Sequence, residues 1–173
     1  LEGRPVDRPV RFVVVTVSDT RTLETDTSGA LLTARLQAAG HHLHERHLVS
    51  DDRDTLASLV VGLIADPGAE AVLLTGGTGL TGRDGTPEVL QEVRTREIPG
   101  FGELFRWLSF QEIGTSTIQS RACAVLADST LIFALPGSTG ACRLAWDEIL
   151  APQFDIHHKP CNFVELFPRF RET

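Results

Sequence analysis

The chain has 173 residues, with 16 Lys and Arg against 23 Asp and Glu, which gives a formal charge of −7 at pH 7. This length fits one domain with a substantial core, and the acidic balance argues against a nucleic-acid surface, since neutralising phosphates requires clustered cations. The sequence has no apolar run of membrane-spanning length, and residues 1–10 lack the hydrophobic stretch of a secretory signal. We therefore expect a cytoplasmic protein that binds small molecules rather than nucleic acid or membrane.

The sequence predicts a single domain at residues 10–160, with an N-terminal extension at 1–9 and a C-terminal tail at 161–173. Because the chain starts without Met, we expect part of residues 1–5 to derive from an expression vector. The three cysteines form no CxxC pair and are odd in number. These features favour reduced structural thiols over a disulfide framework or a zinc site.

Predicted strands and helices alternate along the first half of the chain. Residues 11–18 and 70–77 are apolar, β-branched runs typical of parallel strands buried on both faces, and residues 41–49 predict a strand between them. Such alternation favours a mostly parallel sheet with helices on both faces.

Polar residues mark where the predicted helices begin. Thr27 or Ser28 is expected to cap the first helix, and Asp51 or Asp52 to cap the second. Pro87 fits the first turn of a third helix, which we expect to continue through "RTRE" to "IPG".

The second half of the chain predicts a helix at 102–113 and then two strand-like runs, "RACAVLA" and "TLIFALPG". Only Asp128 and Ser129 separate these runs, and so short a connection requires a hairpin. We therefore expect one antiparallel strand, followed by a last helix that begins after "LPGS".

Three loops are expected to meet at one edge of the sheet, because ligands of open α/β sheets bind beyond the carboxyl ends of the strands. These loops are "VSDTRT" (17–22), "TGGTGLTGRD" (75–84) and "LPGSTG" (135–140). The last could bind an anion at a helix N-terminus or could simply be a capped helix start.

The middle loop lacks both GxxxxGK[ST] and an in-register GxGxxG, which excludes a Walker A phosphate site. Its glycines can adopt positive φ and present N–H groups to an anion, and its threonines add hydroxyl donors. The alternative is a flexible turn without a ligand. The glycines of this loop are Gly76, Gly77, Gly79 and Gly82, and its threonines are Thr75, Thr78 and Thr81.

Carboxylates flank this loop. Asp84 could cap the helix that begins near Pro87 or could hold Mg²⁺ beside a phosphate, and Asp51 and Asp52 present the same two alternatives. Two carboxylates at this edge of the sheet, with no Lys beside them, suggest that a metal ion assists the binding of a phosphate ligand.

Four histidines lie at the start of the second predicted strand. Strict alternation would place His42 and His44 on the face opposite His41 and His47, so no four-ligand set forms. The pattern therefore favours solvated strand histidines over a metal site.

Several segments together resemble the MoaB/MogA family of molybdenum cofactor biosynthesis proteins, and the MoaB branch more than the MogA branch. They are "LLTGGTGLTGRDGTPE", "IPGFGELFRWLSFQEIGTSTIQSRACA", "TLIFALPGSTGACRLAWDEILAPQFD" and "KPCNF". One departure is Gly85, where many relatives carry Val. The resemblance implies a Rossmann-like, three-layer α/β/α sandwich that binds molybdopterin.

The activity implied by this resemblance is the adenylylation of molybdopterin by ATP with Mg²⁺, which releases pyrophosphate. It assigns catalysis and Mg²⁺ binding to Asp51 and Asp84. It also assigns pterin and phosphate binding to Ser18, Asp19, Thr75, Gly76, Gly77, Thr78, Gly79, Pro136, Gly137 and Ser138.

Two further expectations accompany the resemblance. A homo-oligomer, trimer or hexamer, is implied, and Trp107, Phe105 and Phe110 give residues 100–113 more apolar surface than one helix face needs. The alternative to an enzyme is a protein of the same pathway that binds molybdopterin or its precursor without turnover, since both would share one pocket.

Overall fold

A computed structural model describes residues 7–173. Residues 1–6, which include most of the expected N-terminal extension, lie outside the described residues. No helix within residues 7–173 is both long enough and apolar enough to cross a bilayer.

A six-stranded sheet in the order β2-β1-β3-β6-β5-β4 forms the centre of the molecule. The strands are β1 (Arg11–Val17), β2 (His42–Val49), β3 (Ala71–Thr75), β4 (Arg96–Glu97), β5 (Cys123–Ala127) and β6 (Thr130–Leu135). Only β5 runs antiparallel to its neighbours, and it is joined to β6 by the predicted hairpin at Asp128 and Ser129. The predicted α/β architecture with one antiparallel strand is confirmed.

Helices cover both faces of this sheet. They are α1 (Thr27–Ala38), α2 (Arg53–Ala65), α3 (Thr86–Val93), α4 (Pro99–Ile113) and α5 (Thr139–Ala145), and α5 continues through a π turn at Trp146–Leu150 to a last turn at Ala151–Gln153. Helices α1, α4 and α5 pack on the face that carries Phe12 and Val14. Helices α2 and α3 pack on the face that carries Val13 and Val15, which completes three layers.

Three predicted helix boundaries are wrong. Helix α4 begins at Pro99 rather than at Gly102. Helix α3 ends at Val93 rather than continuing through Glu97, because the edge of β5 offers backbone partners: Thr95 N–H donates to Leu126 O at 2.8 Å and Ile98 N–H to Ala124 O at 2.9 Å. The resulting short edge strand is β4.

The N-cap of α1 is Asp26, not Thr27 or Ser28. Its carboxylate accepts the Gly29 N–H at 2.9 Å and the Thr16 hydroxyl at 2.7 Å, and it is paired with Arg46 at 2.9 Å. Burial acts to raise the pKa of Asp26, but the bonds from Arg46, Gly29 and Thr16 outweigh it and lower the pKa. These partners from β1 and β2 make Asp26 a tertiary anchor as well as a cap.

The tail at 161–173 packs back on the core. Val164 is buried, and the Phe163 ring lies 5.6 Å from Phe133 and 5.7 Å from Phe154, measured between centroids. A 3₁₀ helix, Val164–Arg169, follows.

The sequence predicted His41 to be a solvated strand residue, but in the structure its side chain is buried. Its Nδ1 accepts the Val10 N–H at 3.2 Å, and its ring lies against Phe12, Trp146 and Phe154. A protonated Nδ1 could not accept this hydrogen bond. The core therefore needs the neutral imidazole.

We expect the free energy of unfolding to fall as the pH is lowered from about 6.5 to about 4, by up to about 3 kcal/mol from His41 alone. Burial, with the neighbouring His42, lowers the pKa of His41 to about 4, whereas the unfolded residue titrates near pH 6.5. Between these values only the unfolded chain binds the proton; above pH 6.5 neither state does. The free energy of unfolding, measured by denaturant titration at a series of pH values, should depend less on pH in His41→Gln than in the wild type. An equal pH dependence of the two proteins would contradict this expectation.

Candidate functional site

The three predicted loops meet at the carboxyl ends of the parallel strands, an edge that we call the carboxyl rim. Ser28 Oγ, in the first turn of the helix that follows the first loop, donates to Gly137 O in the last loop at 2.8 Å, and Asp19 in the first loop pairs with Arg83 in the middle loop. Gly76 N–H donates to Leu135 O at 3.0 Å, which joins the middle loop to the last. The prediction that the loops share one edge is confirmed.

We call the middle loop, residues 75–84, the glycine loop. Gly76 and Gly77 have φ of 109° and 69°, values that side chains disfavour. A Cβ at Gly76 would lie 2.3 Å from Val17 O, and one at Gly77 would lie 2.4 Å from Thr86 Oγ1. The expected positive φ is wrong for Gly79 and Gly82.

The glycine loop leaves as available donors its backbone N–H groups and, of its three threonine hydroxyls, only that of Thr78 within residues 7–173. Thr75 Oγ1 donates to Pro136 O at 2.9 Å, and Thr81 Oγ1 donates to Asp84 at 2.8 Å, so both hydroxyls are used inside the fold. Within residues 7–173, the N–H groups of Gly77, Thr78 and Gly137 donate to no protein atom. Gly137 lies against the glycine loop, since a Cβ on it would lie 3.5 Å from Gly76 Cα, and neighbouring backbone N–H groups without protein acceptors suit an anion.

A cleft of about 340 Å³ opens beside the glycine loop, and we call it the acidic cleft. Its carboxylates include Asp51, Asp84 and Glu88, and Arg83 lies among them. Arg83 pairs with both Asp19 and Asp51, and its Nε lies 3.1 Å from Asp51 Oδ2. The Arg83 side chain is 70% exposed, so solvent screens these pairs and the guanidinium can leave them at small cost.

Asp84 is bonded into the glycine loop and does not cap α3. One carboxylate oxygen accepts the Thr81 N–H at 2.9 Å and the Thr81 hydroxyl at 2.8 Å, whereas the N-cap of α3 is Gly85, without a side-chain bond. Burial acts to raise the pKa of Asp84, but the bonds from Thr81 and the Gly79 N–H outweigh it and lower the pKa. Asp84 is therefore an ionised carboxylate held by the loop.

Asp51 and Asp52 have different roles. Asp52 is the N-cap of α2, and its carboxylate accepts the Thr55 N–H at 2.8 Å and the Thr55 hydroxyl at 2.7 Å. Asp51 is not a cap; its N–H donates to Asp19 Oδ1 at 3.0 Å and its carboxylate pairs with Arg83. The carboxylate of Asp51 is thus directed to the acidic cleft.

Two other sequence-derived candidates have local structural roles. Ser18 Oγ accepts the N–H groups of Thr20 and Arg21, each at 3.2 Å, and so shapes the first loop. Ser138 is the N-cap of α5, where its hydroxyl accepts the Ala141 N–H at 3.2 Å. The start of α5 is therefore capped, and its role in anion binding stays a prediction.

Sequence reasoning missed Arg121, which lies just before β5 and holds the glycine loop. Its Nε donates to Gly79 O at 2.7 Å and its Nη2 to Asp84 O at 3.1 Å, and it pairs with Glu88 on α3. The only signal in the sequence was a lone Arg before a strand, a common pattern without specific meaning.

The chain is similar to known proteins over most of its length. A family model described as "Probable molybdopterin binding domain" matches residues 13–155. Molybdenum cofactor biosynthesis protein B of Escherichia coli K12 is 52% identical over 155 residues, which cover 90% of this chain and 91% of that protein.

Solved structures show the same similarity. A crystal structure of molybdenum cofactor biosynthesis protein B is 42% identical, with a TM-score of 0.82 over 84% of this chain and 91% of that one. A MogA structure is 27% identical, with a TM-score of 0.71 over 81% of this chain and 94% of that one. The greater similarity to protein B agrees with the sequence motifs.

Proposed function

The chain belongs to the MoaB/MogA family of molybdenum cofactor biosynthesis proteins, and from this premise we propose that it binds molybdopterin and adenylylates it with Mg-ATP, releasing pyrophosphate. The observation that carries the proposal is the direct connection between the glycine loop and the acidic cleft through Asp84. A phosphate bound by the loop would lie beside carboxylates suited to a metal-bound nucleotide.

In this proposal the N–H groups of Gly77, Thr78 and Gly137 bind the terminal phosphate of molybdopterin. A phosphate oxygen attacks the α-phosphorus of ATP, a P–O–P bond forms, and pyrophosphate leaves. The phosphate is already ionised and nucleophilic, so the protein needs no general base. Its contribution is to position the two reactants and to offset their charge.

The acidic cleft fits Mg²⁺ in its donor chemistry, because Asp51 and Asp84 both contribute carboxylate oxygens to it. These two residues would hold the ion. When bound, Mg²⁺ would offset the negative charge of the nucleotide phosphates. Arg83 would leave Asp51 and pair with the nucleotide phosphates, which its exposed side chain permits.

A second candidate function is binding of molybdopterin, or of its precursor, without turnover. The pairing of Arg83 with both Asp19 and Asp51 favours it, because Arg83 neutralises a carboxylate that catalysis assigns to Mg²⁺. Mixing the protein with molybdopterin, ATP and Mg²⁺ separates the two functions. An adenylyltransferase converts molybdopterin to its adenylylated form, whereas a binding protein returns it unchanged.

We expect the protein to be a homo-oligomer, and the family implies a trimer or a hexamer. Helix α4 and the 3₁₀ turn after it carry large exposed apolar side chains, of which Trp107 is 64% exposed and Ile118 77% exposed; the others are Leu104, Phe110 and Ile113. Phe105, expected in the same surface, is instead buried in the core. Exposed apolar side chains that are grouped on one element favour an interface. Light scattering should give about three or six times the 18.9 kDa chain mass, and Trp107→Glu should shift it toward the monomer. A monomeric wild type at micromolar concentration would contradict the expectation.

A further inference from the structure

Strand β2 contains an irregularity that changes where its histidines point. In its pairing with β1, Phe12 is opposite Leu43 and Val13 is opposite Glu45, so His44 is an extra residue in the strand. An extra residue interrupts the alternation of side chains between the two faces. The expectation that His44 and His47 lie on opposite faces is therefore wrong.

Both histidines contact one carboxylate. His47 Nε2 lies 2.6 Å from one oxygen of Glu45, and His44 Nε2 lies 4.0 Å from the other. A second acidic side chain completes the group, because Asp66 Oδ2 lies 2.8 Å from His44 Nε2. Residues from an edge strand and from the turn after α2 thus converge on one point.

Local structure holds this group in place. The Gly68 N–H donates to Asp66 Oδ1 at 2.7 Å, which fixes the carboxylate while leaving Oδ2 directed at His44. A Cβ at Gly68 would lie 2.5 Å from two atoms of the His44 ring. The absence of a side chain at Gly68 is what allows the imidazole to occupy its position.

We propose that His44, Glu45 and Asp66 form a binding site for a divalent transition-metal ion of the zinc type, with His47 orienting Glu45. Within residues 7–173, no other three His, Cys, Asp or Glu side chains bring their ligand atoms within 4.8 Å of one another. One imidazole nitrogen and two carboxylate oxygens form a ligand set that zinc uses, and three protein ligands leave a fourth position for water.

The separations between the ligand atoms suit this ion. Zinc holds nitrogen and oxygen ligands at about 2.0–2.1 Å, which places tetrahedral neighbours about 3.3 Å apart. The present separations of 2.8 Å and 4.0 Å from His44 Nε2 lie on either side of that value. The imidazole favours zinc, nickel or copper over Mg²⁺, which prefers oxygen ligands alone.

The site is distinct from the acidic cleft. Asp66 and Gly68 lie in the turn that precedes β3, at the end of the sheet opposite the carboxyl rim. An ion bound there would connect the edge strand β2 to the turn between α2 and β3. Binding of the ion would stabilise the edge strand rather than serve catalysis, because a ligand that binds only the folded state stabilises that state.

Calorimetric titration of the tag-free, chelator-treated protein with Zn²⁺ tests the proposal. We expect one site per chain, with His44→Gln and Asp66→Asn each weakening the affinity by at least about tenfold. Asp66→Asn keeps the oxygen that accepts the Gly68 N–H and removes only the charge. The matched control is His42→Gln, an exposed histidine of the same strand outside the group, which should change the affinity by less than about twofold.

Thermal melting provides the second readout. Zn²⁺ should raise the melting temperature of the wild type and of His42→Gln, but not that of His44→Gln, while all variants should melt similarly without metal. Equal Zn²⁺ affinity in wild type and His44→Gln would overturn the proposal and place the ion elsewhere, for example at the exposed Cys161. Absence of Zn²⁺ binding to the wild type at about 100 μM, a free energy of only about −5 kcal/mol, would leave the group as ordinary surface ion pairs and overturn it equally.

Discussion

Replacing Asp84 by Asn should lower the rate of molybdopterin adenylylation by at least about a hundredfold, while the affinity for molybdopterin stays within about threefold. Asn keeps the side-chain oxygen that can accept the Thr81 N–H and hydroxyl, so the glycine loop should retain its shape. What the substitution removes is the charge that we assign to Mg²⁺. Molybdopterin titration and initial rates at saturating ATP measure the two effects separately.

Asp52→Asn is the matched control. Asp52, like Asp84, lines the acidic cleft. Its carboxylate, however, caps α2 through Thr55, and Asn is an equally good cap. Its activity should remain within about threefold of wild type. If Asp84→Asn lost binding and turnover equally, Asp84 would be a support of the loop and not a metal ligand.

Gly77→Ala should weaken molybdopterin binding by about tenfold or more. The φ of 69° costs a side chain about 1–2 kcal/mol, and the added Cβ would lie 2.4 Å from Thr86 Oγ1. The loop must shift to relieve both, and the shift moves the N–H groups of Gly77 and Thr78 away from the phosphate. Since about 1.4 kcal/mol is one decade of affinity, even a small displacement is measurable, whereas the melting temperature should fall by only about 2–8 °C.

Two variants separate loop geometry from general damage. Gly82→Ala lies in the same loop without positive φ and with nothing within 4 Å of the new Cβ, so its affinity should match wild type. Gly77→Ala with Thr86→Ala removes the steric contact and should recover part of the affinity, leaving the cost of φ. Wild-type affinity in Gly77→Ala alone would show that the glycine loop is only a turn.

The sequence predicted the features that depend on local pattern. Strands β1 and β3 are continuous apolar runs with turn residues at their ends, and two residues between β5 and β6 permit only a hairpin. The carboxyl rim followed from these strands, because parallel neighbours bring their following loops together. The glycine loop was recognisable for the same reason.

The features that escaped prediction depend on partners distant in sequence. Asp26 caps α1 in place of its neighbours because Thr16 and Arg46 also bind it. The extra residue at His44 is visible only in the pairing of β2 with β1. Arg121 contacts the glycine loop across about forty residues of sequence, and nothing in a single sequence indicates such a contact.

The most direct test of the account is pyrophosphate release measured in a single turnover, with the protein in excess over molybdopterin and with ATP and Mg²⁺ present. We expect about one pyrophosphate per molybdopterin, no release when either molybdopterin or Mg²⁺ is omitted, and a loss of release in Asp84→Asn that does not occur in Asp52→Asn. Tight binding of molybdopterin without any Mg²⁺-dependent pyrophosphate would contradict it and identify the protein as a binding protein of the pathway.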